Sequence, residues 1–290
     1  MSITRFLHSR APELFTKFNR KRNIFVRNLS TRYTDTMSEL SIENTAKRMI
    51  VAREQSIAID MNELSHLSTA DGYAVQSAMI SLKEQNEFGK LVGWKIGASN
   101  EAAQKMLGFG PFYGPLFAKN FVSSKDVVTM KSFINFIAVE VEVAFELNDE
   151  IPVIPAIELA ASRVTGKRSH GATAADFALN GCVLLHEKIN KNLFVNYDSL
   201  ANITVSISVN NEEKAASSGA NVMGNPIFAL TWLVNSLVSK NISLCKGDII
   251  MSGCVVMSKD VPGGSVVTAS MGSFDTTEAC DDVTFELQTK

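Results

Sequence analysis

The spacing of apolar residues predicts helices in the part of the chain that begins near residue 40. Residues 41–57 place apolar side chains three and four positions apart, which is the period of one helical face. The stretch LSTADGYAVQSAMISLKEQ predicts a second helix, which Ser68 or Thr69 can cap. Shorter helices are predicted over residues 99–107 and 225–240.

A period of two replaces the helical period after residue 90 and predicts strands. The segments LVGWKIG, FIAVEVEVAFEL and NITVSISVN alternate, and GDIIMSG and GGSVVTASMGSF are typical of strand and turn. The strands do not alternate with helices in βαβ order, so the pattern predicts an α+β fold with a mainly antiparallel, rolled sheet. We expect residues 37–290 to form one domain, helical over 37–90 and β-rich over 91–290.

One predicted strand carries carboxylates in the middle of a core-like sequence. In FIAVEVEVAFEL, Glu140, Glu142 and Glu146 lie on one face, and apolar residues fill the other face. The Cα atoms of Glu140 and Glu142 are about 7 Å apart, whereas Glu146 starts roughly 13 Å beyond Glu142. Two converging carboxylates repel each other unless a cation such as Mg²⁺ or Mn²⁺ lies between them. A solvated second face is the commoner explanation of such a pair, so the metal hypothesis requires further residues.

Two segments offer residues for the same site. Glu158 in IPVIPAIELAASRV could supply a third carboxylate, although on its own it is more typical of an exposed helix residue. Lys95 in GWKIG shares a strand face with Gly93 and Gly97, as happens where a ligand or a backbone approaches closely. The alternative for Lys95 is a side chain that extends from the strand end into solvent.

The composition narrows the class of protein. Of the 290 residues, 46% are hydrophobic and 20% are charged, which allows a sizeable core. The net charge of −2 shows no excess of basic residues that would indicate binding of nucleic acid. No apolar run approaches the roughly 18 residues that a membrane helix needs, and the four widely spaced cysteines predict free thiols. We therefore expect neither nucleic acid nor a membrane as a partner.

The N-terminal segment differs from the rest of the chain in charge. Residues 1–34 contain eight basic residues and a single acid, Glu13, and several hydroxyl residues. This composition is typical of a mitochondrial transit peptide, and the alternative is a disordered basic arm. We therefore expect residues 1–36 to lie outside the folded domain and the protein to reside in the mitochondrial matrix, with the cytoplasm as the alternative.

Taken together, eight segments identify a family. The sequence resembles the 2-keto-4-pentenoate hydratase group of the fumarylacetoacetate hydrolase superfamily, which also contains 4-oxalocrotonate decarboxylases. The matching segments follow the order of the family: DGYAVQ (71–76), VGWKIGAS (92–99), AAQKMLGF (102–109), VEVEVAFEL (139–147), PAIELAASR (155–163), AADFALNG (174–181), SSGANVMGNPIFALTWLVNSL (217–237) and LCKGDIIMSG (244–253).

The resemblance implies a rolled mixed β-sheet of the fumarylacetoacetate hydrolase C-terminal-like type, with an N-terminal helical region, and a homo-oligomer. It implies that Glu140, Glu142 and Glu158 bind Mg²⁺ or Mn²⁺ and that Lys95 is catalytic. It further suggests two residues that line the substrate pocket, Gln76 and Ser252. The implied substrate is a small 2-oxo acid.

The resemblance favours hydration of a short 2-hydroxy-2,4-dienoate to a 4-hydroxy-2-oxo acid. Decarboxylation or tautomerisation of a 2-oxo diacid is the alternative, and an inactive structural partner of an active subunit is a second alternative. Three departures from the family pattern bear on this choice. First, the run GPFYG (110–114) has no acid before its last aromatic residue and glycine. Second, only residues 148–153 separate the strand that carries Glu140 and Glu142 from the segment PAIE that contains Glu158. Third, PGG replaces PGD at 262–264.

Overall fold

The computed structural model describes residues 37–83, 89–124, 126–129, 134–148, 151–186, 197–272 and 283–289. The N-terminal segment for which a transit peptide or a basic arm was predicted, residues 1–36, lies outside the described residues.

The four helices that the apolar spacing predicts are present with small shifts of their ends, and two short helices that were not predicted accompany them. They are α1 (Glu39–Glu54), α2 (Met61–Leu64), α3 (Thr69–Lys83), α4 (Glu101–Leu107), α5 (His170–Ala175) and α6 (Pro226–Ser239). Ser38 caps α1, so this helix begins two residues before the predicted position. The side-chain oxygens of Asn100 and Asn225 cap α4 and α6. Gly108 ends α4 in the left-handed conformation that glycine adopts without a steric penalty.

The strands build a large and a smaller sheet together with a short parallel pair. They are β1 (Ile59–Asp60), β2 (Leu91–Gly97), β3 (Phe112–Phe117), β4 (Phe121–Val122), β5 (Val127–Val128), β6 (Asn135–Glu146), β7 (Val153–Ser162), β8 (Val164–Thr165), β9 (Asn180–Leu185), β10 (Thr204–Val209), β11 (Glu212–Ser218), β12 (Ile249–Ser258), β13 (Val266–Met271) and β14 (Val283–Thr289).

The sheets are mixed but mainly antiparallel, as the order of elements predicts. The seven-stranded sheet runs β3-β2-β12-β6-β7-β9-β4, and its neighbours are antiparallel except for β2 with β12 and β4 with β9. The five-stranded sheet runs β11-β10-β13-β14-β5; β14 and β5 are parallel, and its other described pairs are antiparallel. β1 and β8 form the short parallel pair.

β6 lies in the middle of the large sheet and is buried on both faces. Val139, Val141, Val143 and Phe145 belong to the main core, which residues of the five-stranded sheet and of α6 complete. On the other face Ala144 packs in a smaller apolar cluster. The predicted apolar face of this strand is therefore present, and its second face is covered as well.

Glu158 lies in a strand, so the prediction that it is an exposed helix residue, which considered this residue on its own, is wrong. β7 contains Glu158, whose relative exposure is 0%. The residues around it are apolar on both sides of the strand. An apolar run of this kind has no period of its own, and periodicity alone does not distinguish a buried strand from a buried helix.

The segment Gly219–Ser239 is, among the described residues, a helical stretch of 21 residues long and apolar enough to cross a membrane by length and composition alone. Much of its apolar face is instead part of the protein core. The buried side chains of α6 are those of Pro226, Ile227, Ala229, Leu230, Leu233 and Leu237. We therefore interpret this segment as a core helix of a folded domain.

Candidate active site

Three glutamates meet on one face of the seven-stranded sheet. β6 and β7 pair in antiparallel register, so that Glu140 lies directly opposite Glu158. Glu142 lies two residues further along β6, on the same face. Carboxylate oxygens of Glu140, Glu142 and Glu158 lie within 4.8 Å of one another. Glu142 and Glu158 are fully buried and Glu140 is half-buried. The structure thus brings together the three residues predicted to bind a metal, and Glu146 is not part of this cluster.

Burial and mutual repulsion both disfavour negative charge on this cluster. Burial, together with the charge of Glu158, raises the pKa of Glu140 to about 7. Burial and the two neighbouring carboxylates raise the pKa of Glu142 well above its usual range. Burial also raises the pKa of Glu158, although Lys95 opposes the shift. Three carboxylates so placed become stable anions only when positive charge is supplied to them.

Lys95 supplies part of that charge from strand β2, which β12 separates from β6 in the same sheet. Its Nζ atom lies 3.1 Å from Glu158 Oε2 and donates a hydrogen bond of 2.9 Å to the carbonyl oxygen of Ala178. Burial lowers the pKa of Lys95, but the three glutamates outweigh burial and raise the pKa above its ordinary value. Lys95 is therefore a buried ammonium ion, and the alternative of a lysine extending into solvent is wrong.

A backbone amide holds Glu142 in place. Gly253 N donates a hydrogen bond of 2.9 Å to Glu142 Oε2 from an irregular part of β12, where the register with β6 shifts between Met251 and Cys254. Gly253 has a φ of 102°, and a Cβ atom there would lie 2.2 Å from Ser99 Oγ. Sequence analysis did not assign Gly253 to the site, although a glycine inside a strand pattern is a signal of a bulge or a close approach.

The cluster fits a hard divalent cation. No N–H or O–H donor among the described residues reaches Glu142 Oε1 or Glu158 Oε1, although both atoms are buried. Buried oxygens without donors are costly unless a ligand completes them. Three carboxylates without sulfur or nitrogen ligands form the donor set that Mg²⁺ and Mn²⁺ prefer. Glu140, Glu142 and Glu158 are thus the residues of this chain that could hold such an ion.

The two residues predicted to line a substrate pocket differ in their contacts. Ser252 is fully buried beside Gly253, and its Oγ has no hydrogen-bond partner among the described residues. Gln76 is also buried, but its Nε2 donates to the carbonyl oxygens of Tyr113 at 3.1 Å and of Ala174 at 2.8 Å. These bonds tie α3 to β3 and α5, so Gln76 supports the framework around the site. A role of either residue in substrate binding stays a prediction.

Aromatic side chains occupy the region in which the family pattern has an acid. Phe112 lies opposite Gly97 in the β2–β3 pair, and its ring fills the space that a Gly97 side chain would take. Phe109 stacks on His170 with ring centroids 5.0 Å apart, and Phe112 meets the same imidazole edge-on at 6.4 Å. Burial lowers the pKa of His170. This cluster of aromatic rings, next to the face of β2 that carries Lys95, was not predicted from the sequence.

Known proteins resemble this chain in sequence over most of its length. It is 26% identical over 253 residues to "2-keto-4-pentenoate hydratase" of Paraburkholderia phymatum, covering 79% of this chain and 92% of the relative. It is 27% identical over 254 residues to "TodF product hydratase" of Pseudomonas putida, covering 80% of this chain and 92% of the relative. No protein-family model matches the chain.

The fold is that of a solved enzyme of the predicted group. The structure of "4-oxalocrotonate decarboxylase from Pseudomonas putida G7", complexed with magnesium and adipate, superposes with a TM-score of 0.74 and 20% identity. The superposition covers 89% of this chain and 100% of the other. In sequence and in fold this chain is similar to the hydratase and decarboxylase group of the fumarylacetoacetate hydrolase superfamily. The predicted group and fold class are thus confirmed, and the names of the group's hydratases support the prediction of a hydro-lyase.

The predicted mitochondrial location is wrong. The relatives in this hydratase group come from bacteria, which have no mitochondria. The prediction was based on an arginine-rich, acid-poor composition over residues 1–34. Composition alone does not separate a targeting peptide from any other basic segment.

Proposed function

We propose that this protein is a metal-dependent hydro-lyase that hydrates a short 2-hydroxy-2,4-dienoate to a 4-hydroxy-2-oxo acid. One observation carries the proposal: three carboxylates, two of them fully buried, converge within 4.8 Å beside the ammonium group of Lys95. The names of the hydratase relatives support the same reaction. A cluster of this kind costs folding free energy, because each carboxylate loses its hydration. Its presence therefore favours a site that acts on a ligand.

The proposed cofactor is Mg²⁺ or Mn²⁺, held by Glu140, Glu142 and Glu158. When bound, such an ion supplies Lewis-acid stabilisation of negative charge on the carboxylate and C2 oxygen of a 2-oxo acid. The proposal draws on the donor-free oxygens of Glu142 and Glu158. It also draws on the solved decarboxylase, which is complexed with magnesium. Gly253 fixes Glu142 through its N–H group, so that one ligand oxygen is oriented before the ion binds.

Lys95 is the proposed catalytic residue. Its ammonium group is buried, and its bonds to Glu158 and to Ala178 fix its position. A fixed positive charge stabilises an enolate without reorganising solvent, and stabilisation of this kind is usually the largest single contribution to catalysis. Lys95 also carries the proton that a carbanion centre of the substrate can receive as the dienol ketonises. The buried hydroxyl of Ser252 is a candidate to bind the substrate.

A specific observation keeps decarboxylation or tautomerisation of a 2-oxo diacid as the second candidate. Phe112 and its aromatic neighbours occupy the region where hydratases of the group usually have an acid. Without that acid, activation of the added water falls to other groups, whereas enolate chemistry needs only Lys95 and the carboxylate cluster. The third candidate, an inactive partner subunit, is disfavoured because such a protein has no need of a cluster of three carboxylates beside a buried lysine.

The deciding experiment follows a panel of 2-hydroxydienoates and 2-oxo diacids by ultraviolet absorbance, with Mg²⁺, with Mn²⁺ and with a chelator. Hydration predicts metal-dependent loss of the dienoate and formation of a 4-hydroxy-2-oxo acid. Decarboxylation predicts release of CO₂ from the diacid instead. No metal-dependent turnover of any member of the panel would exclude both enzymatic proposals. We further propose that residues 37–290 form a single domain that assembles as a homo-oligomer, which light scattering of the purified protein tests.

A further inference from the structure

Three consecutive residues next to the site adopt the left-handed conformation. Phe177, Ala178 and Leu179 have φ angles of 52°, 55° and 66°, and none of them is a glycine. Side chains with a Cβ atom disfavour this conformation, because Cβ approaches the following carbonyl oxygen. All three residues are buried. Backbone of this kind persists only where the surrounding structure holds it, and it is concentrated at functional sites.

This left-handed turn, residues 177–179, touches both Lys95 and the residue opposite it in the sheet. The carbonyl oxygen of Ala178 accepts the hydrogen bond of Lys95 Nζ at 2.9 Å. Gly114 is the β3 partner of Lys95, and a Cβ atom on Gly114 would lie 2.3 Å from the carbonyl oxygen of Phe177. The turn can therefore approach Lys95 only because residue 114 is a glycine and has no Cβ atom in its way.

Arg163 donates hydrogen bonds to the residues on both sides of the turn, Asp176 and Asn180. Its Nε donates to Asp176 Oδ1 at 2.7 Å, and its Nη2 donates to the carbonyl oxygen of Asp176 at 3.2 Å. Its Nη1 donates to the carbonyl oxygen of Asn180 at 2.9 Å. Arg163 directly follows β7, the strand that carries Glu158. One planar guanidinium group thus links both ends of the turn to the strand of a proposed metal ligand.

Arg53 makes a second set of contacts from α1. Its Nη2 donates to the carbonyl oxygen of Asn180 at 2.8 Å, and its guanidinium carbon lies 4.9 Å from the centre of the Phe177 ring. Its Nη1 lies 3.6 Å from Asp176 Oδ1. The N-terminal helices thereby contact the turn, although they contribute no residue to the carboxylate cluster.

We propose that Arg53 and Arg163 are positioning residues for Lys95. They hold the turn in its left-handed form, and in that form the Ala178 carbonyl directs Lys95 Nζ toward Glu158. If the turn relaxed, its carbonyl groups would rotate, and Lys95 would keep its contact with Glu158 but lose the hydrogen bond to Ala178. The inference rests on the proposed function only in its claim that Lys95 acts in turnover.

The test replaces Arg53 in the full chain and uses a matched control on the same helix. Arg53→Gln removes a buried guanidinium group, whereas Arg48→Gln removes one that is more than half exposed and pairs with Glu63. With saturating Mg²⁺, Arg53→Gln is expected to lower kcat at least tenfold per folded molecule and to change KM less than twofold. Arg48→Gln is expected to change neither. An unchanged kcat in soluble Arg53→Gln overturns the proposal.

A rescue separates positioning from a general loss of stability. Glycine adopts the left-handed conformation freely, so adding Ala178→Gly to Arg53→Gln is expected to raise kcat at least threefold. Absence of any rescue contradicts the proposed role of the turn. If Arg53→Gln is insoluble, Arg53→Lys is measured against the same criteria, since lysine keeps the charge and loses the planar fork.

A crystal structure of Arg53→Gln gives a readout that is independent of activity. We expect Ala178 to leave the left-handed region or its carbonyl oxygen to move beyond hydrogen-bond distance of Lys95 Nζ. An unchanged turn and an unchanged Lys95 overturn the inference. If the wild-type protein turns over no 2-oxo acid, the proposed function fails, while this structure still decides whether the arginines position Lys95.

Discussion

Lys95 Nζ and Glu158 Oε2 lie 3.1 Å apart, although their strands are not neighbours in the sheet. β12 and β6 separate β2 from β7. In a flat sheet three strand spacings of about 4.8 Å would place the two backbones roughly 14 Å apart. The contact therefore depends on two long side chains that converge over a curled sheet. It joins the proposed catalytic residue to one of the proposed metal ligands.

Lys95→Met is expected to lower kcat at least about 100-fold, the lower range for loss of an acid–base group, with a much smaller effect on KM. The apolar side chain has a similar length, so the packing of β2 should survive. Glu158 loses its counter-charge, but it can take up a proton and stay buried. Steady-state kinetics with saturating Mg²⁺ and circular dichroism of the same sample test this expectation. Lys105→Met, at an exposed position of α4, is the control.

Glu142→Gln is expected to abolish most of the stabilisation that Mg²⁺ gives. The wild type should gain about 2.7 kcal/mol in unfolding free energy when free Mg²⁺ is at a hundred times its Kd. Without metal, the variant should be at least as stable as the wild type, because one of three repelling groups is gone. Urea denaturation with and without Mg²⁺ measures both effects.

Glu146→Gln is the matched control for Glu142→Gln. Glu146 lies on the same strand face, at the end of β6 and outside the carboxylate cluster. Its replacement should leave activity and the Mg²⁺ response nearly intact. A Glu146 variant that loses the Mg²⁺ response, beside a Glu142 variant that keeps it, would show that the metal is bound elsewhere.

The alternation along β6 was sufficient to predict which glutamates share a face and that Glu146 is too distant. The sequence could not predict that Glu158 lies opposite Glu140, because that register depends on the β6–β7 pairing and Glu158 lies in an apolar run without a period of its own. Gly253 N–H and the Ala178 carbonyl were missed for a related reason. Backbone groups leave no trace in residue type, and only a glycine inside a strand signals one of them.

Gly253→Ala is expected to weaken Mg²⁺ binding and to destabilise the protein by about 1–3 kcal/mol, the typical cost of strained backbone. The φ of 102° disfavours a side chain, and the new Cβ atom would meet Ser99 Oγ. Relief of that contact shifts the bulge and withdraws the N–H group from Glu142. Isothermal titration with Mg²⁺ and urea denaturation provide the measurements.

The control for Gly253→Ala is Gly110→Ala, where an added Cβ atom meets nothing within 4 Å. This replacement should leave Mg²⁺ affinity unchanged. Equal losses of affinity in the two variants would mean that the Gly253 amide has no special role in orienting Glu142.

The metal-free protein is expected to lose stability through Glu140 as the pH rises toward neutrality. The pKa of Glu140 is about 7 in the folded protein, above its ordinary value of 4.5. A carboxyl group with a raised pKa binds more protons folded than unfolded, so its contribution is complete below pH 4.5 and is lost as the pH rises to about 7. Urea denaturation of metal-free wild type and Glu140→Gln should therefore show the wild type losing stability relative to the variant across this window. Above pH 7 the difference in stability between the two proteins should be constant.

Mg²⁺ affinity should change in the opposite direction and rise with pH, because the ion binds the deprotonated carboxylates. If the stability of the wild type relative to the variant stayed flat or increased with pH, this would contradict the conclusion that burial and the charge of Glu158 raise the pKa of Glu140.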